Sequence, residues 1–235
     1  MTAAEILAEI EPLGSESYRK VIRNHGVKDP MFGVKVEDLK KIQKRIKKDY
    51  RLALELYETG NYDACYLAGL IADDAAMTKA DLQRWAEQAN CYPLCESTVA
   101  WVAAESRFGR EMALQWIESD RETIASCGWA TLSGVVAVAA DADLDISELR
   151  RLLQRVEAAI HSAPNRVRST MNGFVISVGS YVAPLADVAM QAAERIGKVT
   201  VDVGNTACKV AFAPDYILKA RQRGSLTKKR KTVKC

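Results

Sequence analysis

The residues best suited to chemistry are clustered in the segment 90–98, whose sequence is NCYPLCEST. Cys91 and Cys95 are four residues apart, so on a helix they share one face, and Tyr92 and Glu96 repeat that spacing. Two thiols beside a carboxylate suit half of a metal site, a redox pair or part of an active-site wall. Deciding among these roles determines most of what the sequence says about function.

The metal interpretation fails on the number of ligands. A structural zinc site needs four nitrogen or sulfur ligands, usually as two close pairs. The chain has six cysteines and two histidines, but no second cysteine pair, and His25 and His161 lie far from the motif and from each other. We therefore predict no metal and expect the cysteines to be small, reduced, buried thiols.

Other familiar chemistries lack their motifs. No glycine-rich phosphate loop follows a strand, GxSxG is absent, and neither histidine has a nucleophile at a catalytic spacing, which excludes nucleotide-binding and hydrolase classes. No cofactor is predicted. The acidic N-terminus is unlike an export signal, and the most apolar run, near 132–140, is too short to cross a bilayer. We expect a soluble, cytoplasmic protein with no membrane partner.

Helical periodicity dominates the chain. Pairs of predicted helices recur about every 35 to 40 residues, a period typical of HEAT-like repeats, in which each helical hairpin buries its apolar face against its neighbours. The predicted pairs cover 37–73, 79–105, 109–140 and 146–181. The sequence thus indicates an all-α solenoid of HEAT-like hairpins in a curved superhelix, with an irregular helical bundle as the alternative.

One segment departs from this pattern. Residues 197–210, GKVTVDVGNTACKV, alternate apolar and polar side chains around Gly204-Asn205, which predicts a small hairpin or an extended crossover near 199–210. We assign 1–213 to a single HEAT-like domain and 214–235 to a C-terminal helix with a basic tail.

Positive charge is concentrated in segments. The net charge is +3, yet no acid follows Asp215, and the eight cations after it leave the rest of the chain at −5. Segmented positive charge is typical of proteins that bind polyanions, although a solvated helix face also explains the lysine row of 36–50. The predicted contacts to a nucleic-acid backbone are Lys40, Lys44, Lys48, Arg166, Arg168, Lys228, Lys229 and Arg230.

The helical pairs, the segment MFGVKVEDLKKIQKRIKK (31–48) and the pair that carries NCYPLCEST together resemble the AlkD-like DNA alkylation repair family. The likeness covers roughly 15–185. It implies a HEAT-like fold whose concave, basic face holds duplex DNA by its backbone, and the best-known members are glycosylases that release N3- and N7-alkylated purines. Phosphate contacts of this kind give affinity without reading sequence.

Members of the family carry their catalytic Trp and, four residues later, their catalytic Asp in the pattern WWDxxD. The pattern falls on CYPLCE, which places Tyr92 at the catalytic Trp and Glu96 at the catalytic Asp. The resemblance thus implies that Tyr92 stacks on the lesion and that Glu96 stabilises the oxocarbenium ion. Cys91 and Cys95 replace other positions of the motif and become pocket wall.

Two further positions depart from the family. Gly128 falls where active members carry a DNA-contacting Arg, and Phe174 falls near a later family Trp. The resemblance therefore leaves two alternatives, a weak glycosylase and a DNA-binding relative without turnover. A different class also remains open, a HEAT-like scaffold for a protein partner with a nucleic-acid-binding tail.

Overall fold

The computed structural model describes residues 1–234, apart from the side chain of Thr227. This part of the chain forms thirteen α-helices and no paired strands. The helices are α1 (Ala3–Ile10), α2 (Glu16–Asn24), α3 (Val36–Ile46), α4 (Tyr50–Glu58), α5 (Tyr62–Ile71), α6 (Lys79–Gln88), α7 (Ala100–Glu105), α8 (Gly109–Trp116), α9 (Glu122–Val138), α10 (Ile146–Ala159), α11 (Asn165–Tyr181), α12 (Ala186–Ile196) and α13 (Ala213–Gln222). A π-helix, Leu94–Val99, leads directly into α7.

Helices α4 to α13 form two layers of consecutive hairpins. In each hairpin the first helix lies in an outer layer and the second lies in an inner layer. The inner layer consists of α5, the π-helix with α7, α9, α11 and α13, which pack side by side in that order. This arrangement confirms the predicted all-α solenoid of HEAT-like hairpins. No single helix within residues 1–234 is long and apolar enough to span a membrane.

The core between the layers is built from large apolar side chains. Trp85, Trp116 and Trp129 are at most 1 % exposed, and the Trp85 ring stacks on Tyr57 with 4.1 Å between centroids. Burying aromatic rings of this size removes much apolar surface from water and fixes the spacing of the hairpins. Trp129 and the equally buried Phe174 join α9 to α11, with 5.3 Å between ring centroids.

A buried carboxylate holds the loop that carries the FGV motif. Asp63, near the start of α5, accepts hydrogen bonds from the backbone N–H groups of Phe32, Gly33 and Val34, at 2.7, 3.0 and 2.9 Å. The side chain of Asp63 also lies in the first turn of a helix, where the helix dipole favours negative charge. The FGV segment is therefore fixed to the inner layer by one acid.

Residues between α12 and α13 form the predicted extended crossover without a strand ladder. The Asn165 amide at the start of α11 binds the backbone of Asp202 twice, donating to its carbonyl at 2.8 Å and accepting from its N–H at 2.7 Å. Asn172 holds the far end through the carbonyl of Ala211, at 2.9 Å. The chain turns at Gly204, whose φ of +63° favours glycine.

Candidate functional site

The π-helix places the motif NCYPLCEST at the edge of the inner layer. A π-helix has a wider turn than an α-helix, and such turns occur frequently at functional sites. Cys91 and Cys95 face the core and are 4 % and 0 % exposed, whereas Tyr92 and Glu96 remain half-buried at the surface of the inner layer. The turn therefore divides the motif into a buried thiol side and a side that lies at the surface of the inner layer.

The two thiols belong to the wall behind the site. Burial raises the pKa of Cys91 to about 11 and that of Cys95 to about 12, so both remain protonated at neutral pH. The described residues contain no cluster of three or more metal-ligating side chains. The structure thus agrees with the interpretation of these cysteines as small buried side chains.

Arg166 fills the space between the two candidate catalytic residues. Its Nε and Nη2 atoms donate to Oε1 and Oε2 of Glu96 at 2.9 and 2.5 Å, a parallel pair of charge-assisted bonds. The guanidinium lies 3.8 Å from the centre of the Tyr92 ring, within cation–π distance. One cation therefore occupies both the aromatic face and the carboxylate.

The start of α11 positions this arginine. Pro164 precedes the helix, and the backbone N–H of Arg166, in its first turn, donates to Oε1 of Glu122 at 2.6 Å. The side chains of Arg166 and Glu96 are only 19 % and 13 % exposed. The predicted phosphate contact at Arg166 is thus directed into the protein and towards a carboxylate.

The site is partly shielded from water. Burial raises the pKa of Glu96 above its ordinary value, an effect that the Arg166 guanidinium opposes and the neighbouring Glu122 carboxylate increases. Burial lowers the pKa of Arg166, but its hydrogen bonds and charge interaction with Glu96 outweigh that effect and raise it overall. A desolvated ion pair of this kind depends on both partners being present.

Tyr92 is also held from its hydroxyl end. The oxygen lies 2.8 Å from Nδ1 of His25, just beyond the end of α2. Burial raises the pKa of Tyr92, and the Arg166 cation opposes this shift. Tyr92 and His25 both line two cavities, of about 290 and 410 Å³. Sequence reasoning did not anticipate the partnership with His25, because the two residues are 67 positions apart.

The two positions that depart from the family serve packing. A Cβ on Gly128 would lie 2.8 Å from the backbone nitrogen of Ile117, so the glycine lets α9 approach the end of α8. Phe174 is fully buried against Trp129. Neither position offers a side chain to a ligand.

The predicted lysines of α3 and the residue after it differ in their surroundings. Lys44 is exposed and lies beside a cavity of about 430 Å³, whereas Lys48 pairs with Asp74 and Asp73 at 3.3 and 3.7 Å. Lys40 is half-buried, and among the described residues it forms no ion pair. Arg168 is half-buried as well, and its Nε has no hydrogen-bond partner. Lys40 and Lys44 thus remain available to an anion, while Lys48 is partly neutralised.

The basic tail is folded onto the protein. Residues 225–234, here called the arm, run past the C-terminal ends of the inner helices α11, α9, α7 and α5. The backbone N–H of Arg230 donates to the carbonyl of Ala137 at 2.8 Å, and that of Val233 donates to Glu105 at 2.7 Å. Lys234 then reaches Asp74 at 2.7 Å and the carbonyl of Ala72 at 3.2 Å.

The arm's cations form two groups. Lys229 and Lys234 point inwards, and Lys229 pairs with Asp141 at 2.7 Å and donates to the carbonyl of Val136 at 2.9 Å. Cations at helix C-termini are stabilised by the helix dipole and by the free carbonyls there. Lys228 and Arg230 are exposed. Composition alone gives no sign of this division, although the apolar Val233 within the basic run marks the point at which the arm packs.

Comparisons with known proteins agree with this architecture. The family model described as "DNA alkylation repair enzyme" matches residues 6–199. The chain is 35 % identical over 228 residues to the uncharacterised protein Lmo0209 of Listeria monocytogenes, covering 95 % of this chain and 99 % of that protein. It is 34 % identical to the uncharacterised protein Lin0241 of Listeria innocua, with the same coverage.

A solved structure is similar over the whole length. It shares 36 % identity with this chain, covers 100 % of both chains and has a TM-score of 0.91. The protein in that structure is described as one of "a new family of proteins related to the HEAT-like repeat DNA glycosylases with affinity for branched DNA structures". The similarity includes the crossover and the arm, which the family model does not cover.

Proposed function

Because this chain belongs to the DNA alkylation repair family, we propose that it binds branched DNA through the phosphate backbone and does not cleave the glycosidic bond. DNA as the partner is supported by the affinity of the similar solved protein for branched DNA structures. The segmented positive charge of this chain fits such a partner.

The observation that carries the proposal is the placement of Arg166. In a glycosylase of this type, the aromatic ring and the carboxylate would stabilise a cationic base and the charge that develops on the sugar. In this chain the Arg166 guanidinium takes the face of Tyr92 and both oxygens of Glu96. A base or sugar would have to displace a desolvated ion pair before reaching either group, so we propose that binding proceeds without base release.

The test uses one protein preparation for binding and for chemistry. Fluorescence anisotropy measures the affinity for a four-way junction and for a linear duplex of the same length, at several salt concentrations. We expect tighter binding to the junction and a linear fall of log affinity with log salt, because bound phosphates release counterions. Binding that is independent of salt, or equal for both DNAs, would contradict the proposal.

The chemical half of the test uses duplex and junction DNA carrying 7-methylguanine, with protein in excess so that a single slow turnover is visible. We expect no release above the rate without protein. Release that disappears in Glu96→Gln would show that the chain is a glycosylase despite the ion pair. If the protein binds neither the junction nor the duplex, a HEAT-like scaffold for a protein partner becomes the better hypothesis.

A further inference from the structure

Another cavity lies on the inner layer, lined by Glu96 and by residues nearer the C-terminus. Its volume is about 540 Å³, within the range of roughly 300 to 1,000 Å³ that is common for small-ligand sites. Its floor consists of small side chains of α9 and α11, including Ser133, Gly134 and Ser177. Helix α13 forms one wall and the arm forms another, so this cavity exists only because the arm is folded onto the inner layer.

Three cations line the cavity, and among its described lining residues the one carboxylate, Glu96, is already paired with Arg166. Lys219 lies in α13, Arg223 directly follows that helix, and Arg230 belongs to the arm. Among the described residues, none of the three forms an ion pair, whereas the nearby Arg221 pairs with Asp187 at 3.1 Å. Like charges gathered around one cavity repel each other, and an anion placed between them relieves that repulsion.

The cavity also offers uncharged groups that suit a nucleotide. Trp101, Tyr181 and Tyr216 lie around it, and aromatic rings of this kind stack on unpaired bases. Ser180 is only 2 % exposed, lines the cavity, and its Oγ has no hydrogen-bond partner. A buried hydroxyl without a partner is costly, so a ligand that accepts or donates a hydrogen bond there would stabilise the site.

We infer that this cavity binds one unpaired nucleotide, with its phosphate among Lys219, Arg223 and Arg230 and its base against the aromatic rings. The inference rests on the proposed function and makes it more specific, because a branch point supplies unpaired nucleotides that a continuous duplex does not. A cavity of about 540 Å³ is the size of a small-ligand site, which suits one nucleotide and not a duplex. The same chemistry would accept a free nucleotide.

Trp101 provides a direct signal of occupancy. The other three tryptophans are at most 1 % exposed, and only Trp101 lies at the cavity. We expect its fluorescence to be quenched by an oligothymidylate of eight nucleotides and by a junction with unpaired thymidines at the branch, and the quenching to be absent in Trp101→Phe. Thymidine 5′-monophosphate and inorganic phosphate, titrated in parallel, distinguish a free nucleotide or a bare phosphate from a strand.

Two double variants distinguish binding in this cavity from a general effect of positive charge. Arg223→Gln with Arg230→Gln removes two cations of the cavity, and Arg150→Gln with Arg151→Gln removes two exposed cations of the outer helix α10. We expect the first pair to weaken binding of the oligothymidylate about tenfold or more, since charged hydrogen bonds are lost, and the second to change it less than about twofold. Ser177→Phe fills the cavity without altering charge and should weaken binding similarly.

Folding is checked by the thermal midpoint of each variant, which should remain that of the parent. If the parent binds junctions by anisotropy but Trp101 is not quenched, or both arginine pairs lose affinity equally, the cavity assignment is wrong while the proposed function stands. If the parent binds no DNA at all, the proposed function itself fails. Quenching by thymidine 5′-monophosphate at the same concentrations as the oligothymidylate would support the cavity and identify a free nucleotide as its ligand.

Discussion

Glu96 and Arg166 are 70 residues apart in the sequence and are joined by two hydrogen bonds of 2.9 and 2.5 Å at the surface of the inner layer. The pair connects the π-helix to the start of α11 and thereby links two non-consecutive inner helices. It places a planar cation against the aromatic ring and the carboxylate that the family resemblance assigns to catalysis. The same guanidinium therefore contacts both the Tyr92 ring and the Glu96 carboxylate while it joins the two helices.

Replacing Arg166 with Ala should destabilise the protein at neutral pH. The change leaves the largely buried Glu96 carboxylate without its partner, and losing one member of such a pair costs about 3 kcal/mol. Urea denaturation at pH 7.5, compared with the parent, measures this difference. A variant as stable as the parent would mean that the ion pair is not maintained in solution.

The deficit of Arg166→Ala should depend on pH. Burial raises the folded-state pKa of Glu96 even in the parent, so between the unfolded and folded pKa values the native state binds more protons. Stability from this group is therefore full below the unfolded pKa and falls as pH rises through the folded pKa. We expect a smaller deficit at pH 5 than at pH 7.5, and no such difference when Glu96→Gln is added to Arg166→Ala.

The buried cysteines should resist alkylation in the folded protein. Burial raises the pKa of Cys65 and Cys95 to about 12 and that of Cys91 to about 11, and the thiolate is the reactive form. Cys208 is exposed. Peptide mapping after iodoacetamide treatment at pH 7.5 should find label at Cys208 and none at the three buried thiols until urea is added. Labelling of Cys91 without urea would contradict the buried placement of the motif.

Asp63→Ala should be among the more destabilising single substitutions. It removes the acceptor of three backbone N–H groups in the FGV loop, and each buried donor left without a partner costs about 1 to 3 kcal/mol. We expect a loss of about 3 kcal/mol or more in the free energy of unfolding. Asp143→Ala, at an exposed acid, is the control and should change it by less than about 0.5 kcal/mol.

Among the arm's lysines, those that point inwards should contribute to stability and the exposed Lys231 should not. Lys234→Gln breaks a contact to Asp74 in which the lysine side chain is 11 % exposed, and we expect a loss of about 1 to 3 kcal/mol. Lys231→Gln removes an exposed charge three residues earlier and should be neutral within about 0.5 kcal/mol. Equal effects of the two substitutions would indicate that the arm is not docked in solution.

Local patterns in the sequence determined the fold class and the chemical character of the motif. Apolar spacing and capping residues act over a few positions, so the helices and their HEAT-like period were predictable. Thr2 with Glu5, for example, forms a capping box at the start of α1, three residues apart in the sequence. Alternation around Gly204 predicted a small hairpin or an extended crossover, and the structure has the crossover without a strand pair. Ligand counting was enough to interpret Cys91 and Cys95 as buried thiols.

Only the tertiary structure decided what the functional residues touch. The sequence around Arg166 and its position in the first turn of α11 would be the same whether its side chain faced a phosphate or Glu96. Which of the two it contacts depends on how α11 is placed relative to the π-helix. Likewise, Lys229 and Arg230 are adjacent in sequence, yet one is paired with Asp141 and the other lines a cavity. Long-range contacts leave no local pattern, because their partners come from helices separated by tens of residues, and so the site was settled by packing.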